Sequence, residues 1–128
     1  MSAVSPAERT LFFVAAAFNA LVALALVLPG DFAWNLLGLL RPEKMLFVHL
    51  FAVMVAAFGL AYFWIARNPG GKRVLIELAI IGKLAVFGVA LAHGLAGTAP
   101  MSLALLASGD LVFAALFFDF LRRHPQLG

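Results

Sequence analysis

Apolar residues run through this chain in four long, nearly unbroken blocks, without the alternation of a half-buried strand or the single apolar stripe of a water-exposed helix. The blocks reach from about Thr10 to Leu28, Met45 to Ala66, Val74 to Ala92 and Met101 to Leu121. A transmembrane helix needs about 20 mostly apolar residues, so each block predicts one membrane span. Residues 1–128 are therefore expected to form a single four-span domain, an all-α antiparallel bundle. The first block is longer than the 7–15-residue apolar core of a secretory signal. It ends at Leu28-Pro29-Gly30-Asp31 without a small-residue cleavage site and is read as a retained anchor.

Local punctuation supports these boundaries. Ser5-Pro6-Ala7-Glu8 is a capping-box pattern with proline at the first helical position, and Pro42 and Pro100 precede the second and fourth spans. The stretch Asp31 to Arg41 is too apolar for a free loop and too short to cross, which predicts a short interfacial helix capped by Asp31 with Trp34 at the headgroup level. Asn68-Pro69-Gly70-Gly71 and Gly94 to Pro100 read as tight connectors, so successive spans should pack antiparallel. Tyr62 and Trp64, with Phe12, Phe13, Phe117 and Phe118, are expected to form an aromatic belt at the inner interface.

Composition and charge sharpen this picture. The chain is 65% apolar and 12% charged, against about one-quarter charged in soluble domains. Zero cysteines exclude disulfides, thiolate metal sites and quinone-linked dithiol oxidase chemistry. The net charge of +3 comes from basic residues placed singly or in pairs beside apolar blocks, which are topology signals and not a nucleic-acid surface. Arg9, Arg67, Lys72, Arg73, Arg122 and Arg123 fall on one side, and Arg41 and Lys44 on the other. Both termini are therefore expected in the cytoplasm.

Few polar residues lie within the spans. Lys83 and Asp110 are the charges furthest from any span end, and each costs about 2.5–3.5 kcal/mol at the bilayer centre even on a lenient insertion scale. Spans three and four fold about a turn near residues 97–98, which puts positions 83 and 110 at nearly equal depth. An ion pair or strong hydrogen bond follows. Gly82, Ser108 and Gly109 beside it would let the two helices approach closely. Such a pair either holds the hairpin in register or lines a site that binds a small polar ligand or relays protons. Asn19, in mid-span, needs a partner in Ser108, in the charged pair or in a backbone carbonyl.

His49 and His93 should lie near the outer face at similar depth, placed to ligate a haem or a metal, to bond a quinone head group, or simply to sit at helix ends. No haem, quinone or metal is favoured over the others. Glu77 follows Arg73 by four residues, and Asp119 precedes Arg122 and Arg123 by three and four, so these acids have local partners. Met45, Met54 and Met101 are scattered, unlike a thioether metal cluster. No phosphate loop, zinc site or nucleophile with its base is present, and covalent catalysis is not expected.

The run of Asn19, Leu28-Pro29, Leu36-Leu37-Gly38-Leu39, Gly59-Leu60-Ala61-Tyr62, Asn68-Pro69, Gly82-Lys83 and Gly109-Asp110 resembles a group of small four-helix bacterial inner-membrane proteins. The resemblance covers nearly the whole chain and implies a four-span layout in a prokaryotic inner membrane without supplying a reaction. Small multidrug exporters share the length and span number, but Asn19 stands where their membrane-embedded glutamate is expected in span one. Taken together, the residues suggest a lipid-embedded protein whose polar centre binds a small ligand, or which serves as an accessory subunit of a larger membrane complex. The alternatives are a dimeric proton-coupled transporter and a redox or quinone-associated protein using His49 and His93.

Overall fold

A computed structural model describes residues 3–127. Its order is α1 (Pro6–Val27), α2 (Phe32–Leu36), α3 (Leu46–Arg67), α4 (Arg73–Ala96) and α5 (Met101–Arg123), with no strand among the described residues. The four long helices are each long and apolar enough to cross a membrane, as the four blocks predicted. Their outward faces carry large apolar side chains such as Phe47, Leu50, Leu78 and Phe118. A continuous apolar exterior of this kind has no stable place in water. The chain is a four-span membrane protein.

The helix ends follow from local chemistry. Ser5 caps α1 by accepting from the Glu8 backbone amide, while the Glu8 carboxylate accepts from the Ser5 amide. This reciprocal box starts α1 at Pro6, four residues before the uncharged block begins. At the far end of α4, Gly94 does not open the connector. The helix continues to Ala96 and stops at Gly97, whose φ of 75° is open to glycine at little cost. Helix α2 forms where expected and Asp31 takes its N-cap position, but the Asp31 side chain makes no capping bond.

Backbones approach most closely between α1 and α3 and between α4 and α5. Small residues explain both contacts. Ala15, Asn19 and Ala23 recur every fourth residue along the buried face of α1, facing a side of α3 that buries Ala52, Gly59 and Ala66. Between α4 and α5 the half nearer their connecting turn closes on Ala90, Ala104 and Ala107. Lipid offers helices no hydrophobic drive to associate, so close backbone approach and dispersion must supply it.

The half nearer the two chain ends is different in character. Phe12, Tyr62, Ile65, Ile76, Phe117 and Phe120 build one core from all four spans. Phe12 stacks on Phe117 at 4.8 Å and meets Phe120 edge-on at 5.0 Å. The expected aromatic belt therefore divides by helical phase. Phe12, Tyr62 and Phe117 turn inward and are buried, whereas Phe13, Trp64 and Phe118 face outward. Trp34 turns inward as well. It is buried within the protein, and its indole Nε1 has no hydrogen-bond partner among the described residues. The segment that carries it docks on the start of α5, where the Ser102 hydroxyl donates to the Leu37 carbonyl.

Candidate functional site

Lys83 and Asp110 meet where the aromatic core gives way to the small-residue packing nearer the α4–α5 turn. The Lys83 Nζ lies 2.7 Å from Asp110 Oδ1, a charge-assisted hydrogen bond between α4 and α5. Equal depth about the α4–α5 turn brings them together, as the spacing predicted. The Lys83 side chain is 6% exposed and that of Asp110 18%, so the pair is open from the acid's side.

The rest of the shell around the ammonium comes from the other spans. Asn19 of α1 offers Oδ1 at 3.4 Å and donates Nδ2 to the Val55 carbonyl of α3 at 3.1 Å. Rings of Phe18, Tyr62 and Phe113 stand 5.7, 5.3 and 5.2 Å from the Lys83 nitrogen. Each desolvated cation–π contact contributes about 0.5–2 kcal/mol. Three ring faces, one carboxylate and one amide oxygen thus replace the water that a lysine loses on entering the membrane. All four spans converge on one ammonium.

Three neighbours do not play their expected parts. The Ser108 hydroxyl turns back on its own helix to the Leu105 carbonyl, a local bond that removes it from the pair. Gly82 faces open space, since a β-carbon there meets nothing within 4 Å. Gly109 instead touches the Phe18 ring, 3.4 Å from its ideal β-carbon, so it admits α1 and not α4. The close approach that positions Asn19 comes from Gly59, whose β-carbon would lie 3.2 Å from Asn19 Cβ and 3.4 Å from the Ala16 carbonyl.

His49 and His93 end up in different surroundings. The His93 ring nitrogen Nδ1 is 2.7 Å from the Thr98 hydroxyl, which ties it to the end of its own helix. His49 is exposed on the first turn of α3. Among the described residues, no group of three or more His, Asp or Glu side chains is placed to hold a metal.

The aromatic cage was not anticipated, although a clue was present. Phe18 adjoins Asn19, and Phe113 lies one turn beyond Asp110, so both belong to the depth of the charged pair. His124 likewise carries no mark in the sequence. It is buried at the end of α5, packs on Phe120 at 4.7 Å and places Nε2 2.7 Å from Glu8 Oε2. Arg123 reaches the same carboxylate oxygen at 3.4 Å. Nothing in the sequence marks a contact over that separation. The short-range pairs Arg73–Glu77, Arg122–Asp119 and Arg123–Asp119, each at 3.0 Å, are those the spacing implied. Comparison with protein-family models, with curated proteins and with solved structures finds no match to this chain, so its function has to be read from the chemistry of this centre.

Proposed function

We propose that this chain is a multi-pass protein of a bacterial inner membrane, with both termini in the cytoplasm, whose charged centre holds a small polar ligand on Asp110. One observation supports this reading above the others. Lys83 is enclosed and takes only Oδ1 of a carboxylate that is itself partly open. Among the described residues the Lys83 bond goes to Oδ1 and none is donated to Oδ2, and a carboxylate oxygen facing an apolar medium gains from a donor. A ligand with a hydroxyl or protonated amine supplies one. Lys83 then serves to hold and aim the Asp110 carboxylate, while Asn19 and the three rings keep Lys83 in place.

Native mass spectrometry of protein released from a gentle detergent tests the reading. A reproducible extra mass that is lost in Asp110→Asn, with the variant still folded, supports it. The same mass retained by Asp110→Asn would overturn it. A bare chain in both cases also counts against it and leaves the pair as an internal latch for a subunit of a larger complex. Recovery as a dimer whose mass balance includes no ligand would favour proton-coupled transport, in which the pair opens as the two copies change face.

A further inference from the structure

A groove runs down the outside of the α4–α5 hairpin. Its inner part is apolar, about 220 Å³, between Ile80 and Leu84 of α4 and Leu111, Ala115 and Phe118 of α5. At Ile80 and Phe118 it continues into a wider mouth of about 560 Å³, bounded by Arg73, Glu77 and Arg122. From Arg73 to Leu84 the path along α4 is about 16 Å at 1.5 Å per residue. That matches the roughly 15 Å hydrocarbon depth of a single leaflet.

We propose that this groove is a binding site for one anionic phospholipid, an acyl chain lying along Ile80, Leu84 and Ala115 and the phosphate between Arg73 and Arg122. Charge decides the choice of lipid. This end of the bundle carries Arg9, Arg67, Lys72, Arg73, Arg122 and Arg123 against Glu8, Glu77 and Asp119, six basic groups to three acids. Arg73 is held at the mouth by Glu77 Oε1 at 3.0 Å and by the Leu121 carbonyl at 3.5 Å. Arg122 is tethered to Asp119 by one nitrogen at 3.0 Å and is otherwise exposed. Guanidinium groups present several donors in a planar fork, so one can bond an acid and a phosphate together. Basic sites between spans on the cytoplasmic face favour anionic head groups on the same grounds.

The test titrates the purified protein with phosphatidylglycerol or phosphatidylcholine of identical acyl chains and reads bound lipid by native mass spectrometry. Phosphatidylglycerol is expected to bind about tenfold more tightly. Arg73→Gln with Arg122→Gln should bring it down to the phosphatidylcholine level. Ala115→Phe, at an exposed position that leaves the core alone, should weaken both lipids severalfold by filling the apolar part. Excess inorganic phosphate should displace neither. Equal binding of the two lipids, a preference that survives the double substitution, or displacement by phosphate alone would each overturn the proposal. Asp110→Asn should leave the lipid preference unchanged, which separates this site from the charged centre.

Discussion

The side-chain amide of Asn19 and the ammonium of Lys83, 64 residues apart in the chain, come within 3.4 Å of each other inside the bundle. Because the same amide also donates to the Val55 carbonyl, it links the α1–α3 pair of helices to the α4–α5 pair. The main inner core joins the same four helices through aromatic packing. The charged centre therefore helps to set how the two pairs register.

This arrangement predicts an asymmetry between single and double substitution. Lys83→Met leaves Asp110 partly buried without its cation and should cost about 3–5 kcal/mol. Lys83→Met together with Asp110→Leu removes both charges and should recover most of that loss. Denaturant titration or thermal melting of the three proteins in one detergent provides the check. A double variant as unstable as the single would mean that the pair contributes more than mutual neutralisation.

Two glycines at first sight alike should respond in opposite ways. Gly82→Ala adds a methyl group where nothing lies within 4 Å and should stabilise α4 by about 0.5–1 kcal/mol through helix propensity. Gly59→Ala places a β-carbon 3.2 Å from Asn19 Cβ and beside the Ala16 carbonyl. Both obstacles are fixed to backbone, so α1 and α3 must separate, at a net cost of about 1 kcal/mol or more. Parallel melting curves decide this, and a stabilised Gly59→Ala protein would show that the contact relaxes freely.

Glu8 joins the two ends of the chain, because its carboxylate serves the Ser5 cap, His124 and Arg123 together. Ser5→Ala removes only the cap and should cost about 1 kcal/mol. Glu8→Ala also releases the end of α5. Hydrogen exchange distinguishes them: both variants should loosen the first turn of α1, but only Glu8→Ala should raise exchange in residues 120–127. Equal exchange there in the two variants would show that Glu8 does not anchor α5.

Orientation has a direct test, since the chain has zero native cysteines. With the basic end in the cytoplasm, Glu43→Cys should react with an impermeant maleimide added outside intact cells. Gly70→Cys, in the α3–α4 turn, should react only after the membrane is opened. The reverse pattern would invert the assigned topology.

The sequence alone determined the four spans, since length and hydropathy in a membrane leave little choice but helices that satisfy their own backbone. It also determined the contacts whose partners share a helix or a short turn. Arg73–Glu77 follows from i,i+4 spacing, the Ser5–Glu8 box from i,i+3, and Lys83–Asp110 from equal depth about one connector. Depth is one-dimensional and can be counted along the chain. Rotation about each helix axis, and which span faces which, cannot. Those were decided only in the folded bundle, where packing turned Tyr62 and Phe12 inward and left Trp64 and Phe13 to the lipid. They also brought Phe18 and Phe113 onto Lys83, gave Gly59 the close approach expected of Gly82, and set His124 against Glu8 across the whole length of the chain. In a bundle whose exterior is as apolar as its core, hydrophobicity does not mark the inward face. Steric fit and the need to satisfy a few polar groups select it.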